Sequence, residues 1–390
     1  MGTREEAQAL YDRLVAWRRD FHRHPELGLE EHRSAEVIAG ILHELGYEVQ
    51  TGIAETGVVG LLENGDGPVI MVRADMDALP VVEENDVPYA SEEPGLMHAC
   101  GHDAHMAIGL GVARLMSETR DRWQGTLKMV FQPGEEGRNG AEIMVKEGVL
   151  EEPRPDRVLA LHVWNVYPVG AVSAAPGPVM AAAEAWEADI QGKGGHAAIP
   201  EDAVDPVVAA SLTVSALQTI VSRNVATMDA AVVTVGALQA GDTFNVIPDR
   251  ANLKGTVRTF KPEVREKVLE RLHEIVEGTA AMMGAEATLK FHPVSPAVVN
   301  DAETAAVVQE AARTVLGDAL QQEEVRTMGS EDAAFFLNEV PGCYFFVGSA
   351  PEGENRPHHN PHFDIDEEVL PVGVAIMVEA LRRLMSGEEI

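Results

Sequence analysis

The densest group of side chains that could do chemistry lies in residues 97–105, which read MHACGHDAH. Cys100 and His102 are two positions apart, and thiolate and imidazole are the ligands that zinc and similar metals prefer. A single histidine here would more often be an ordinary surface residue at the start of a helix. Several donors in so short a stretch reverse that balance and predict a metal site.

Two adjacent glutamates, Glu135 and Glu136, follow an apolar, strand-like run at residues 127–131. Proline and glycine build the turn between the strand and this pair, so the two neighbouring side chains point in different directions. One carboxylate can then bind a metal while the other serves as a base. Because such pairs are also common on protein surfaces, this one indicates chemistry only together with the other donors.

Three more segments carry donors. His162 ends another apolar strand, where on its own it is more readily explained as a core histidine with satisfied hydrogen bonds. Residues 357–364, PHHNPHFD, form a histidine-rich loop that suits metal binding, although such a tract can simply be solvated. Residues 73–80, RADMDALP, end a buried strand with two acids, which are costly there unless they pair, bind metal or orient ligands.

The middle of the chain supplies its own polar groups. Residues 192–196, GKGGH, form a flexible loop that displays His196, and residues 241–248 display Asn245. Arg258 lies in a strand, and arginine is the natural bidentate partner of a substrate carboxylate. From this segment alone, a structural salt bridge is an equally good explanation of Arg258.

The elements that must position these groups follow the pattern of an α/β fold. Short apolar runs alternate with helix-like segments, which predicts a largely buried sheet, and ligands gather beyond the carboxyl ends of such strands. Residues 182–291 have the order β-α-β-β-α-β, that of a ferredoxin-like unit. We therefore predict a metal-binding domain made of residues 1–181 and 292–390, with residues 182–291 inserted as a lid or dimerisation domain.

The beginning of the chain is predicted to be one helix. Thr3 with Glu6 fits a capping box at its start. An apolar face then follows at helical spacing, made of Leu10, Leu14, Trp17 and Phe21.

Length, charge and cysteine content limit the classes of protein that this chain can belong to. A chain of 390 residues is longer than one core usually grows, which favours two domains. The net charge of -33 repels phosphate backbones and anionic membranes, so we expect neither nucleic acid nor membrane partners. No signal peptide or apolar membrane span is visible, and Cys100 and Cys343 allow at most one disulfide. We expect a cytoplasmic protein.

Taken together, these segments resemble the M20 metallopeptidase family, and within it the N-acyl-amino-acid amidohydrolases, hippurate hydrolases and auxin-conjugate hydrolases. The resemblance covers almost the whole chain. Its motifs are FHRHPEL at 21–27, RADMDALP at 73–80, CGHD at 100–103, GEEG at 134–137, GGH at 194–196 and HNP at 359–361. It implies a mixed-sheet metallopeptidase domain with an inserted ferredoxin-like lid or dimerisation domain.

The resemblance also implies a centre of two divalent metals, with zinc the first expectation and Mn, Co or Ni the alternatives. The metal ligands that it implies are Cys100, His102, Glu136, His162 and His359. Glu135 would be the general base, and His196 would help to stabilise the oxyanion, reaching the site of a partner subunit. Asn245 and Arg258 would hold the carboxylate of the substrate.

Two points of this assignment stay open. Most family members carry a His-x-Asp ligand motif where this chain reads DMD at 75–77, and this subgroup uses the thiol and imidazole of CGHD instead. The division of ligands between the metals and the role of Asp75 are therefore not fixed. In the last loop, His359 is preferred over His358 and His362 because it takes the first position of the family's His-x-Pro pattern.

The predicted function is metal-dependent hydrolysis of the amide bond of N-acyl amino acids or similar small amides, with glutamate as the general base. A first alternative is a dipeptidase, carboxypeptidase or carbamate hydrolase on the same site. A second is a non-catalytic metal-binding or regulatory protein, against which the presence of Glu135 argues. A third is a cysteine hydrolase using Cys100. We also expect a homodimer or higher homo-oligomer, because the inserted sheet leaves an edge available for pairing.

Overall fold

The computed structural model describes residues 2–353 and 356–386. Its helices are α1 (Thr3–Gln8), α2 (Tyr11–Arg23), α3 (His32–Glu44), α4 (His102–Glu118), α5 (Gly140–Lys146), α6 (Pro206–Thr219), α7 (Pro262–Met282), α8 (Ala302–Leu316), α9 (Ala334–Leu337) and α10 (Val369–Ser386). Its strands are β1 (Glu48–Ile53), β2 (Gly57–Asn64), β3 (Val69–Asp75), β4 (Gly125–Gln132), β5 (Arg157–Trp164), β6 (Ala171–Ser173), β7 (Gly177–Met180), β8 (Ala182–Gln191), β9 (Gly195–His196), β10 (Ala231–Ala240), β11 (Val246–Ile247), β12 (Arg250–Thr259), β13 (Glu286–Ser295), β14 (Val298–Asn300), β15 (Gln321–Gln322) and β16 (Gly342–Gly348).

These elements form two compact units. The first contains the chain up to Val179, then Val298–Arg326, and the part from Asp332 onwards. The second contains Met180–Ala297 and the short return Thr327–Glu331.

The first unit is built on a mixed eight-stranded sheet in the order β1-β2-β4-β3-β5-β16-β6-β15. The neighbouring strands β4, β3, β5 and β16 run parallel to one another, whereas β1, β2 and β6 pair in antiparallel fashion. Almost every residue of the four parallel strands is buried, which explains their continuous apolar runs. The predicted α/β class with a mixed sheet is confirmed.

Helix α4 packs against strand β3 and helix α10 and is buried along most of its length. A helix that is apolar on all sides belongs in the interior of a protein. Its first residue, His102, therefore enters the interior near the carboxyl end of β3 rather than the solvent. No helix among the described residues is both long enough and apolar enough to cross a bilayer.

The prediction of one helix at the beginning of the chain is wrong. Helix α1 ends at Gln8 and α2 begins at Tyr11. Thr3 does not cap a helix, because its hydroxyl donates a hydrogen bond to the Glu379 carboxylate of α10 at 2.8 Å. The apolar face nevertheless packs as expected at Leu14 and Phe21, which are fully buried.

The second unit carries an antiparallel four-stranded sheet in the order β10-β12-β8-β13, and helices α6 and α7 pack on it and on each other. Helix α6 begins where Asp205 accepts a hydrogen bond from the Val207 amide at 2.8 Å, with Pro206 in its first turn. The main elements follow one another as β-α-β-β-α-β, the order of a ferredoxin-like unit. Strands β10 and β13 form the two edges.

Candidate metal centre and active site

The predicted metal ligands converge at the carboxyl end of the parallel strands. Their donor atoms form overlapping sets whose members lie within 4.8 Å of one another. These sets are Cys100 with His102 and His162, Cys100 with Glu136 and His359, and His102 with Glu135 and Glu136. Ligands that sit about 2.0–2.3 Å from one ion lie within roughly 4.6 Å of each other, so this spacing suits coordination.

A glycine makes the close spacing of Cys100 and His102 possible. Gly101 has a φ of +90°, a left-handed conformation that favours glycine. A Cβ atom on Gly101 would lie 2.4 Å from Cγ2 of Val163 in strand β5. The chain can therefore pass directly over β5 before α4 begins, which places the thiol and the imidazole on the same side.

The tautomer of His102 is set by Asp77. The His102 Nδ1–H donates to the Asp77 carbonyl oxygen at 2.8 Å and lies 3.2 Å from Asp77 Oδ1. The other nitrogen, Nε2, is buried and has no hydrogen-bond partner in the described part of the chain. Buried polar atoms are normally paired, and a histidine oriented in this way by a carboxylate is the usual arrangement of a metal ligand. His102 therefore fits a bound metal.

His162 offers a ring nitrogen in a similar manner, and a ring nitrogen of His359 lies beside Glu136. The Nδ1 of His162 donates to the Val163 carbonyl at 2.6 Å, and its Nε2 lies 3.5 Å from the Cys100 sulfur. The Nε2 of His359 lies 3.1 Å from Glu136 Oε1, although that oxygen accepts no hydrogen bond from any described residue. Burial raises the pKa of the Cys100 thiol, and the Glu136 carboxylate acts in the same direction.

The three histidines of the last loop differ in their surroundings. His358 is committed to other contacts, because its Nε2 accepts a hydrogen bond from the Asn165 amide at 3.2 Å and its Nδ1 faces the Cys100 sulfur at 3.9 Å. His362 lies 3.2 Å from the exposed Glu84 carboxylate. Only His359 of these three joins a donor set with Cys100 and Glu136 in the described residues.

Asp75, whose role the sequence leaves open, has both oxygens occupied by hydrogen bonds. Its Oδ1 accepts from His105 Nδ1 at 2.6 Å, and its Oδ2 accepts from Arg73 Nη1 at 2.7 Å. Burial would raise the pKa of Asp75, but the neighbouring His102 and His105 imidazoles and the Arg73 guanidinium outweigh burial and hold it well below its usual range. Asp75 therefore supports the residues around the centre.

Sequence reasoning missed the specific partners of the ligands. His105 joins a donor set with Asp75 and His102, but the Val163 amide donates to its Nε2 at 2.9 Å, so both of its nitrogens are engaged. Asp77 holds His102 through Oδ1 and accepts from the Glu136 amide through Oδ2 at 2.8 Å. Two features of the sequence could have indicated these partners. One is the pair of acids at the end of a buried strand, and the other is the histidine three residues after His102.

The second unit contains the other predicted site residues. His196 and Asn245 lie together, because β9 pairs with β11 and the Ala197 amide donates to the Asn245 carbonyl at 3.2 Å. Both line an open cavity of about 470 Å³. Arg258 lies on β12, and its Nη1 donates to the Ser330 hydroxyl at 2.6 Å.

Arg258 is not explained by a structural salt bridge. It forms no ion pair with a carboxylate of the described residues. Its guanidinium is half-buried, and burial lowers its pKa. A partly desolvated guanidinium without an anionic partner is suited to bind an anion.

Comparison with known proteins agrees with this fold. Residues 71–383 match the family described as peptidase family M20/M25/M40. An N-acetylcysteine deacetylase of Bacillus subtilis is 40% identical over 374 residues, which cover 95% of this chain and 97% of that protein. The IAA-amino acid hydrolase ILR1-like 5 of Arabidopsis thaliana is 38% identical over 385 residues, covering 96% of this chain and 87% of that one.

A solved structure extends the comparison to three dimensions. A Bacillus subtilis protein described as a dinuclear metal-binding peptidase of the M20 family superposes with a TM-score of 0.86 and 35% identity, covering 98% of this chain and 100% of that one. The fold and the donor set define a metal-dependent hydrolase built on a mixed α/β sheet. The chain belongs to the M20 family of peptidases and amidohydrolases.

Proposed function

We propose that this chain hydrolyses the amide bond between an acyl group and an amino acid. The observation that carries the proposal is the donor cluster at the carboxyl end of the parallel strands, with Glu135 beside it. Two of the most similar relatives are named for deacetylation of N-acetylcysteine and for hydrolysis of IAA-amino acids, and both substrates join an acyl group to an amino acid.

A substrate panel tests this proposal. We expect turnover of N-acetyl and larger N-acyl amino acids to exceed that of dipeptides, longer peptides and N-alkoxycarbonyl amino acids by at least about tenfold in kcat/KM. The alternatives, a dipeptidase, carboxypeptidase or carbamate hydrolase on the same site, predict the reverse preference. Activity against none of these compounds by the metal-replete protein would contradict the assignment.

We assign the metal ligands to Cys100, His102, Glu136, His162 and His359. They would hold two divalent ions, with zinc expected first because thiolate and imidazole are borderline to soft donors. When bound, the ions would lower the pKa of a water molecule and polarise the scissile carbonyl.

The remaining steps belong to side chains. Glu135 takes the proton of the attacking water and returns it to the leaving nitrogen, the usual reversal of a general base. His196 donates a hydrogen bond to the oxyanion, in the site of a partner subunit. Asn245 and Arg258 hold the substrate carboxylate, which orients the amide for attack.

Arg258→Ala should remove most of the preference for substrates with a free carboxylate. We expect the wild type to favour an N-acyl amino acid over its neutral amide analogue, because the unpaired guanidinium gains an anionic partner. The ratio of kcat/KM for the two substrates measures this preference. Arg250→Ala is the matched control, because Arg250 lies at the exposed end of the same strand. Equal preference in the wild type and Arg258→Ala would mean that another group binds the carboxylate.

We further propose that the second unit, predicted from the sequence as residues 182–291, acts as a lid and dimerisation domain. Of the two edges of its sheet, β10 is the better candidate for pairing. Strand β13 carries Glu286, Lys290, His292 and Pro293, which protect an edge from other strands, whereas β10 reads AVVTVGALQA without charge or proline.

Leu238→Asp should convert the dimer into monomers. Leu238 lies on β10 and is 41% exposed, so a carboxylate there would be buried without a partner in a paired edge. Sedimentation velocity measures the effect. Met282→Asp, at an exposed position on α7, is the control and should leave the dimer intact. A wild type that sediments as a single chain with full activity would contradict the proposal.

We also propose that the protein is located in the cytoplasm. Cys100 and Cys343 are both buried and unpaired, which suits a reducing compartment.

A further inference from the structure

Glu31 is a buried carboxylate that lies outside the donor cluster. It immediately precedes helix α3 and is fully buried. Its Oε1 accepts a hydrogen bond from the Gly134 amide at 2.8 Å, and its Oε2 accepts one from the Thr56 hydroxyl at 2.5 Å. Gly134 begins the loop that carries Glu135 and Glu136, so Glu31 is joined directly to the backbone of the candidate site.

This arrangement is costly for a residue with only a packing role. Glu31 forms no ion pair with a cation in the described part of the chain. Burial, opposed by the Thr56 hydrogen bond and assisted by the nearby Asp77 carboxylate, raises the pKa of Glu31 to about 7. An apolar side chain of similar size would avoid that cost, but it would leave the Gly134 amide without an acceptor.

The segment around Glu31 also packs against both loops of the centre. The Ala78 amide donates to the Glu26 carbonyl at 2.8 Å, which ties the segment to the loop that contains Asp77. A Cβ atom on Gly28 would lie 2.8 Å from the Gly134 Cα atom and 3.2 Å from Asp77 Oδ2. The backbone at Gly28 therefore lies in close contact with both loops.

Two buried carboxylates thus hold the loop on either side of Glu135. Glu31 accepts from the Gly134 amide, and Asp77 accepts from the Glu136 amide at 2.8 Å. The loop is closed behind them by the Gly140 amide, which donates to the Gly134 carbonyl at 3.1 Å. The backbone on both sides of Glu135 is held by these contacts.

We propose that Glu31 is a positioning residue that fixes the Gly134 end of this loop and thereby places Glu135 and Glu136 for the reaction. This inference rests on the proposed function, since it assigns Glu135 the role of base. The contact needs an acceptor of the right length, and the negative charge is secondary. Substitutions of Glu31 can change the length of the side chain and its charge independently.

The test compares Glu31→Asp with Glu31→Gln. Aspartate keeps the charge but withdraws the acceptor from Gly134 by one methylene, whereas glutamine keeps the reach and loses the charge. We expect Glu31→Asp to lower kcat by at least about tenfold, because small displacements of a catalytic group are costly, with KM within twofold of the wild type. Glu31→Gln should stay within about threefold of the wild-type kcat. Should the aspartate variant not fold, Glu31→Ala carries the same expectation.

A second readout does not depend on turnover. Amide hydrogen exchange of the segment that contains Gly134, followed by mass spectrometry, should become faster in Glu31→Asp and remain unchanged in Glu31→Gln. Thr56→Val is the matched control, because it removes the other hydrogen bond of Glu31 and leaves the Gly134 contact in place. It should lower thermal stability without changing kcat or exchange at Gly134.

The outcomes are distinct. Unchanged exchange in Glu31→Asp, or a loss of kcat that Thr56→Val reproduces, overturns the inference. A wild type without activity on N-acyl amino acids, combined with faster exchange in Glu31→Asp, would count against the proposed substrate and leave the contact with Gly134 established.

Discussion

Replacing Glu135 by glutamine is expected to reduce kcat at least about a hundredfold, the usual contribution of a general acid or base. Glutamine has the shape of glutamate but cannot take a proton from water at neutral pH. The ligand sets that contain Cys100 keep their donors in this variant, because none of them includes Glu135. The metals should therefore remain bound while turnover is lost.

Steady-state kinetics on an N-acetyl amino acid measures the loss, and elemental analysis of the same sample measures the metal. Glu142→Gln is the matched control, since Glu142 lies on helix α5, which follows the same loop, and pairs with Lys146 at 2.7 Å. It should retain wild-type kinetics. Near-normal turnover in Glu135→Gln would show that another group accepts the proton, and the assignment of Glu135 would have to be abandoned.

The sequence contains enough to predict the fold class and the place of the site. Continuous apolar runs such as residues 158–161 are typical of strands buried on both faces, and parallel strands align their carboxyl ends at one edge. Donors that follow such runs, as Glu135 and His162 do, are therefore expected near one another. The structure brings them together for this reason, because β4 and β5 flank β3 in parallel.

The hydrogen bonds that hold the candidate ligands could not be predicted from the sequence in this way. Asp75 contacts His105, 30 positions away in the sequence, and the direction of each ring follows from hydrogen bonds that no periodicity encodes. Glu31 gives no sign of burial in the sequence, because a glutamate before a helix is normally exposed. The break after α1 was missed for a related reason, since the contact of Thr3 with Glu379 joins the two ends of the chain.

Removing the metals should abolish activity, with a loss of at least about a thousandfold that is reversed when divalent ions are restored. A cysteine hydrolase that used Cys100 as its nucleophile would keep its activity in a chelator, so this experiment separates the two mechanisms. Cys100 lies among His102, His162, Glu136 and His359 in overlapping donor sets, a spacing that suits metal coordination. After reconstitution, elemental analysis should find about two ions per chain, as in two-metal hydrolases.

Variants of single residues test the individual metal ligands. His359→Ala removes a donor that shares a set with Cys100 and Glu136, so it should weaken metal binding at least about tenfold in a chelator competition and lower kcat with it. His362→Ala is the matched control, because His362 belongs to the same loop but lies beside the exposed Glu84. If the two variants bind metal equally well, His359 is not a ligand, and the thiol and two imidazoles of Cys100, His102 and His162 would remain as the core of a smaller site. If the chelated wild type retains its activity, the reaction does not need a metal. The metal mechanism is then wrong, whichever histidines are assigned as ligands.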